Sequence, residues 1–203
     1  MPLTERERQT LEKYDVSARE WLDHSGGPDR PCFWQDELKE FVSKLGEKKL
    51  VIELGCGPAT DGKFLSQSGE IVLSTDYSET MLAIAEELNP FGYYAKMDMQ
   101  DLYLADNLFD GFWATACLLH LEEPDKALKE IVRVTKNGGV GFITVKEGDG
   151  EQIDPRTGYF FRYYQHPEFI RKLQRVGLDT FQSARRPGSP EHDWLTYLVR
   201  VRK

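Results

Sequence analysis

Five short apolar runs, separated by amphipathic stretches, occupy the middle of the chain, and this alternation limits the fold more than any other feature. In the stretch at 123–139, apolar residues recur with helical period. Apolar strands that alternate with helices form a parallel sheet covered on both faces. The sequence therefore predicts an α/β, doubly wound, Rossmann-like fold. The runs are LVIEL (50–54), IVLSTD (71–76), YYAKMD (93–98), GFWATAC (111–117) and VGFITV (140–145).

The two ends of the chain extend this pattern. After a further helix at 167–177, two strands, LDTFQSA and WLTYLVRVR, are joined by a loop too short for a crossover helix, so we expect them to be antiparallel. At the start, helical stretches at 4–24 and 33–45 flank HSGGPDRP, whose Gly and Pro residues stop a helix. We expect one domain (1–203), with a helical cap (1–47) on a seven-stranded core (48–203) that is mostly parallel with an antiparallel last strand. NGG at 137–139 is expected to cap the preceding helix.

Composition restricts the class of protein and its partners. The chain has 203 residues, 30% charged and 40% hydrophobic, as soluble globular domains do. Its net charge of -8 works against a general nucleic-acid or anionic-membrane partner. A charged N-terminus and an uncharged run (111–121) too short to span a bilayer indicate a cytoplasmic protein without a membrane partner. Cys32, Cys56 and Cys117 have no ligand-like spacing, so neither a disulfide nor a metal site is expected.

The first strand ends in two glycines, Gly55 and Gly57, at the edge where open parallel sheets bind ligands. Glycine lets the backbone approach a ligand, and amides at the start of the next helix bind its anionic part. A dinucleotide-binding turn has a third glycine where this chain has Thr60, and a phosphate-binding P-loop has a hydroxyl where it has Phe64. Neither the dinucleotide-binding motif nor the P-loop motif is therefore complete. An oxidoreductase is the alternative if the argument from Thr60 fails.

Acidic residues end the next two strands. Asp76 closes the second run, where a carboxylate accepts hydrogen bonds from both ribose hydroxyls of an adenosine. Asp98 closes the third, and Glu53 lies in the first. Two such acids suit an adenosine ligand and would repel a dinucleotide phosphate. The alternative is that each aspartate caps the helix or turn that follows it.

Residues 50 to about 200 resemble the class I S-adenosylmethionine-dependent methyltransferases. The similarity rests on VIELGCGPATDGKFL, VLSTDYSETMLAIA, AKMDMQDLYLADNLFDGFWATACLLHL, EIVRVTKNGGVGFITVKEGDGE and FFRYYQHPEFIRKLQRVGL, in that order and spacing. It implies a methyltransferase activity with S-adenosylmethionine as the cofactor.

The resemblance also implies a cofactor site distributed over the ends of the first four strands. Around the methionine part it implies Glu53, Gly55, Cys56, Gly57 and Asp61. Around the adenosine it implies Asp76, Tyr77, Met81, Asp98 and Met99. The floor under the sulfonium would be Ala114, Thr115 and Ala116. In similar proteins the N-terminal helices form a lid, from which Tyr14 would reach the cofactor.

Three residues are candidates for catalysis. His120 follows the fourth strand on the ligand side of the sheet and is the candidate general base; the alternative is that it caps a helix or binds a backbone group. Glu147, next to Lys146, follows the fifth strand. Arg162 is a candidate anion clamp, or else pairs with Glu147 or Glu151 in a salt bridge. The aromatic residues at 159–164 either line an apolar pocket or belong to the core.

Three readings of the activity follow. The first is methyl transfer to an oxygen, nitrogen or carbon atom of a small molecule. The second is a tRNA-modifying methyltransferase, which the net charge of -8 makes the weaker reading. The third is a non-catalytic S-adenosylmethionine-binding partner protein, which the intact glycine turn and Asp76 disfavour. The acceptor and the oligomeric state stay open at this point.

Overall fold

A seven-stranded sheet lies at the centre of the molecule, in the order β3-β2-β1-β4-β5-β9-β8. The computed structural model describes residues 3–24, 32–46, 48–189 and 191–203, so most of the predicted HSGGPDRP interruption lies outside the described residues. β1 to β5 are mutually parallel, whereas β9 runs antiparallel to both of its neighbours, β5 and β8. The strands are β1 Leu50–Leu54, β2 Ile71–Asp76, β3 Tyr93–Lys96, β4 Phe109–Ala114, β5 Thr135–Lys146, β8 Leu178–Ser189 and β9 His192–Val201.

Helices cover both faces of this sheet. Because side chains alternate along a strand, β1 sends Ile52 to a core shared with α5 and α6, and Val51 to one shared with α2 and α3. α1 packs separately on α4. The predicted doubly wound fold is confirmed. The helices are α1 Glu5–His24, α2 Gln35–Leu45, α3 Thr60–Gln67, α4 Glu79–Leu88, α5 Pro124–Val134 and α6 His166–Arg175, with a 3₁₀ turn at Leu118–His120.

One predicted helix end is wrong. α5 ends at Val134, and the segment TKNGG that follows belongs to β5. Thr135 already has an extended backbone and pairs with Phe109, where its β-branched side chain is fully buried. Gly138, at φ +81°, lies where the register between β4 and β5 shifts. The glycines therefore form a bulge in a strand and not a helix cap.

A second sheet, a small hairpin, was not predicted. It pairs β6 (Glu151–Ile153) with β7 (Phe160–Arg162). Each strand has three residues, too few for the alternation by which a strand is recognised in a sequence. Its loop is fixed by Asp154, whose Oδ1 accepts hydrogen bonds from the amides of Arg156 and Thr157 at 2.8 and 3.0 Å.

The topology places a ligand site at a defined edge. The strand order reverses between β1 and β4, and ligands of such sheets bind beyond the carboxyl ends of the strands at this point. α1 and the β6–β7 hairpin both lie over that edge. They are joined by a hydrogen bond that Thr10 of α1 accepts from the amide of Phe160 at 2.9 Å. Among the described residues, no helix is both long enough and apolar enough to cross a membrane.

Candidate active site

A cavity of about 610 Å³ opens at the carboxyl edge of the parallel strands. This volume lies in the range of small-molecule sites, roughly 300–1,000 Å³. Its walls come from the turn after β1, the ends of β2 to β5, one face of α1 and the β6–β7 hairpin. One continuous space therefore joins residues that are far apart in the sequence.

The glycine turn forms one wall, and its two glycines have different reasons to be glycine. Both have positive φ angles, +58° at Gly55 and +53° at Gly57. A Cβ on Gly55 would lie 2.3 Å from the Cβ of Cys117, so the turn packs directly on the loop after β4. A Cβ on Gly57 would have Met81 Sδ as its nearest described atom, at 4.0 Å. The backbone of Gly57 is thus left open to the cavity.

Asp76 is fixed at the end of β2 by backbone donors. Its Oδ2 accepts a hydrogen bond from the amide of Gly57 at 2.7 Å, and its Oδ1 accepts one from the amide of Ser78 at 2.8 Å. The pKa of Asp76 is raised, because the effect of burial exceeds the opposite effect of these hydrogen bonds. Each carboxylate oxygen has a second lone pair that a ligand hydroxyl can use.

Glu53 lies behind the turn and supports the start of α3. Its Oε1 accepts from the amide of Gly62 at 3.0 Å, and its Oε2 accepts from Ser74 Oγ at 2.5 Å. A Cβ on Gly62 would lie 2.3 Å from Glu53 Oε2, so Gly62 lets α3 approach the sheet. Burial, followed by the nearby charge of Asp61, raises the pKa of Glu53 to about 8.

Asp61 and Asp98 mark opposite sides of this part of the cavity. Asp61 accepts hydrogen bonds from Trp113 Nε1 at 3.0 Å and Thr115 Oγ1 at 3.1 Å. Asp98, beyond β3, accepts from the amide of Gln100 at 2.8 Å, and burial raises its pKa. Both carboxylates are therefore oriented by the protein and line the cavity.

Most of the residues predicted to bind the cofactor line the cavity. Glu53 and Ala114 do not, because both are buried within the sheet. Both residues lie behind the wall of the cavity. The predicted cofactor-binding residues that line the cavity are Tyr14, Gly55, Cys56, Gly57, Asp61, Asp76, Tyr77, Met81, Asp98, Met99, Thr115 and Ala116.

His120 and Tyr14 form a hydrogen-bonded pair on the opposite wall. His120 Nδ1 lies 2.8 Å from the carbonyl oxygen of Phe160, which only accepts, so in the neutral ring Nδ1 carries the proton. Nε2 is then the acceptor for the Tyr14 hydroxyl at 3.0 Å. Burial lowers the pKa of His120 to about 4, so the ring is neutral at pH 7.

Aromatic rings and one ammonium group complete this wall. Tyr159 stacks on Tyr14 with ring centroids 4.1 Å apart, and Phe161 and Trp194 lie beyond it. Lys146 Nζ lies 3.6 Å from the centroid of Phe161 and 5.8 Å from that of Trp194. The predicted apolar pocket at 159–164 thus involves Tyr159 and Phe161, whereas Tyr164 is packed in the core with α5 and α6.

Two of the predicted catalytic residues do not line the cavity. Glu147 forms an ion pair with Arg185, which follows from strand geometry because Lys146 occupies the side that faces the cavity. Arg162 forms an ion pair with Glu151 across the hairpin, which was the alternative reading for that residue. Neither side chain is placed to contact a ligand in this cavity.

Sequence reasoning missed the cavity residues at and before the start of α1. Glu7 and Thr10 lie on one face of α1, and they line the cavity together with Leu3, which precedes the helix. Glu7 Oε1 accepts a hydrogen bond from the amide of Glu122 at 2.9 Å, which ties the start of α1 to the loop before α5. The regular spacing of these residues with Tyr14 was a detectable signal, although polar residues on a helix face usually indicate solvent.

Comparisons with known proteins agree with this geometry. The family described as "Methyltransferase domain" matches residues 52–143. A malonyl-[acyl-carrier protein] O-methyltransferase of Buchnera aphidicola is 33% identical over 121 residues, which cover 59% of this chain and 49% of the relative. The chain thus spans about half the length of the curated relatives that it matches.

Solved structures share the whole fold at low sequence identity. The [4+2]-cyclase SpnF has a TM-score of 0.79 and 20% identity, covering 100% of this chain and 98% of that one. The 1,6-didemethyltoxoflavin-N1-methyltransferase of Burkholderia thailandensis, solved with S-adenosylhomocysteine, has a TM-score of 0.74 and 20% identity, covering 100% and 93%. These two proteins carry out different reactions, so the likeness establishes the fold and not the reaction.

Fold and site together define a Rossmann-like α/β domain with a ligand cavity at its switch point. Residues 52–143 match the methyltransferase-domain family, and the chain is similar to curated methyltransferases over about half of their length.

Proposed function

We propose that this protein binds S-adenosylmethionine in the part of the cavity bounded by the glycine turn, Asp76 and Asp98, which we call the cofactor half. It transfers the methyl group to an oxygen, nitrogen or carbon atom of a small molecule held in the acceptor half, bounded by Tyr14, Tyr159 and Phe161. The observation that carries the proposal is that one continuous cavity includes both halves.

The residues of the cofactor half fit this ligand. The open backbone at Gly57 gives room for the amino-acid part, and the second lone pairs of Asp76 suit two adjacent ribose hydroxyls. Asp98 supplies an acceptor for the adenine amine. When bound, the cofactor supplies a methyl group activated by a sulfonium, and transfer leaves S-adenosylhomocysteine.

The remaining residues orient the acceptor and exclude water. α1 carries Tyr14 across the cavity, and its hydrogen bonds to the hairpin and to the loop before α5 hold it there. We therefore propose that residues 1–47 act as a lid on the core at 48–203. Orienting the nucleophile in a closed, dry site is the main contribution that such a protein makes to an in-line displacement.

Tyr14 and His120 supply a route for the acceptor proton. An acceptor O–H or N–H donates to Tyr14 Oη, whose own proton moves along its hydrogen bond to His120 Nε2. Because burial lowers the pKa of His120 to about 4, His120 is a weak base. This suits acceptors that are already ionised or that release the proton as the new bond forms.

A labelled-methyl experiment tests the proposal. The protein is incubated with methyl-labelled S-adenosylmethionine and either ultrafiltered metabolites or purified tRNA from cells of the source organism. We expect label in the metabolite fraction and none in tRNA. Label confined to tRNA would establish the tRNA-modifying alternative. Label in neither fraction, from protein that binds the cofactor, would establish the non-catalytic one. A cytoplasmic site of action remains part of the proposal.

A further inference from the structure

The acceptor half contains a positive charge, on Lys146, that forms no direct ion pair among the described residues. Within the described ranges, Lys146 Nζ has no carboxylate oxygen within 4 Å, and its close contacts are the faces of Phe161 and Trp194. The other cation on the cavity wall, Arg156, is paired with Asp154 and Glu191. Lys146 thus differs from its cationic neighbour in lacking an ion pair.

This position is unfavourable for an ammonium group as it stands. Lys146 is half-buried, and burial lowers its pKa. A cation over an aromatic ring gains only roughly 0.5–2 kcal/mol, which compensates part of the lost hydration. A negatively charged ligand group would supply the missing partner and form charge-assisted hydrogen bonds.

The surroundings select the kind of anion. Asp154 lines the same cavity and is held as a carboxylate by backbone hydrogen bonds, so its pKa is lowered despite burial. A doubly charged phosphate would be repelled by Asp154, and the single charge of Lys146 would neutralise only half of the phosphate's charge. A single carboxylate matches the single charge of Lys146. The rings of Phe161, Tyr159 and Trp194 suit an apolar or aromatic group attached to that carboxylate.

We propose that Lys146 binds a carboxylate of the methyl acceptor, so that the acceptor is a carboxylic acid with an apolar or aromatic body. The inference rests on the proposed function, because it identifies the contents of the acceptor half. It concerns binding and specificity, and it leaves open which atom of the acid is methylated.

Matched neutral and ionised fragments test it on the protein saturated with S-adenosylhomocysteine. Benzoate is compared with benzamide, and phenylacetate with phenylacetamide, by ligand-observed NMR at pH 7. We expect each carboxylate to bind about tenfold more tightly than its amide, as one charge-assisted contact gives. Lys146→Met should abolish this preference, and Lys146→Arg should retain most of it. Lys129→Met, on the exposed side of α5, is the matched control and should keep the full preference.

The outcomes separate the two proposals. Affinity for S-adenosylhomocysteine is measured on each variant. If the wild-type protein does not bind S-adenosylhomocysteine, the proposed function is refuted. If the cofactor product binds but the amides bind as well as the carboxylates, the Lys146 inference alone is wrong. It is equally wrong if no carboxylate binds, or if the preference survives in Lys146→Met that retains wild-type affinity for S-adenosylhomocysteine.

Discussion

The two halves of the cavity are built in different ways. The cofactor half is formed by turns that directly follow β1, β2 and β3, and its acids are fixed by neighbouring backbone amides, as Asp76 is by Gly57 and Ser78. The acceptor half is assembled from α1, the 3₁₀ turn, the end of β5 and the β6–β7 hairpin, whose strands have three residues each. The difference indicates that the first half depends on local backbone geometry, whereas the second depends on how distant segments pack together.

The largest expected effect is in the cofactor half. Gly55→Ala places a Cβ 2.3 Å from that of Cys117 at φ +58°. We expect the free energy of unfolding to fall by roughly 3 kcal/mol, from backbone strain and overpacking together. Gly69→Ala is the control: its φ is +98°, but no described atom lies within 4 Å, so only the strain remains, about 1 kcal/mol. Urea unfolding measures both, and equal losses would show that the turn is not tightly packed.

The buried carboxyl group behind the turn predicts a pH dependence. Burial raises the pKa of Glu53 to about 8 from an ordinary 4.5, so the folded state holds a proton that the unfolded state releases. The contribution of Glu53 to the free energy of unfolding is therefore greatest below pH 4.5, and it is lost as the pH rises to 8. His120, with its pKa lowered to about 4 from 6.5, contributes in the opposite sense but only below pH 6.5.

Between pH 6.5 and 8 the change in stability therefore comes mainly from Glu53. Wild-type stability should fall by about 2 kcal/mol across this range, at 1.36 kcal/mol per pH unit. Glu53→Gln should remove the slope, because its amide can still accept from Gly62 and donate to Ser74. Urea titrations at both pH values measure this, and an unchanged slope in the variant would refute the role of Glu53.

Asp76→Ala tests the ligand contacts of the same half. We expect affinity for S-adenosylhomocysteine to fall by roughly 1–3 kcal/mol, because charge-assisted hydrogen bonds are lost. Calorimetry measures this change. Asp125→Ala, which removes an exposed carboxylate that pairs with Lys172, is the control and should bind normally. Equal affinity of Asp76→Ala and the wild-type protein would mean that the ribose contact is wrongly placed.

In the acceptor half, Tyr14→Phe is the sharpest change. It removes the hydroxyl that donates to His120 Nε2 and leaves a half-buried acceptor without this partner. We expect a loss of about 1–2 kcal/mol of stability. Tyr103→Phe, at a side chain that is 85% exposed, is the control and should change stability by less than about 0.5 kcal/mol. Indistinguishable effects would indicate that the Tyr14–His120 hydrogen bond does not form in solution.

The smallest effect is expected at the surface of α1. Arg19 forms an ion pair with Glu87 of α4, but both side chains are more than half exposed. We expect a coupling energy below about 0.5 kcal/mol in a double-mutant cycle of Arg19→Ala and Glu87→Ala. A coupling above 1 kcal/mol would show that charge, and not the apolar contact of α1 with α4, holds this helix.

What could be predicted from the sequence follows the same division. The strands at 50–54 and 71–76 were predicted with their observed bounds, and the glycine turn and Asp76 lie at the predicted strand ends and line the cavity, because their signals are local. Glu147 does not line the cavity, and Arg162 forms the ion pair with Glu151 that was its alternative reading, since the side to which a strand residue points and the existence of a hairpin depend on distant pairing. Lys146, one residue from Glu147, is the side chain that reaches the cavity.

Calorimetric titration of the wild-type protein with S-adenosylmethionine, S-adenosylhomocysteine and NAD, side by side, tests the central claim most directly. The account predicts that the two sulfur compounds bind and that NAD does not. If NAD binds and neither sulfur compound does, the cofactor half has been assigned to the wrong ligand. If none of the three binds, the turn at Gly55 and Gly57 is structural, and the proposed function has to be withdrawn.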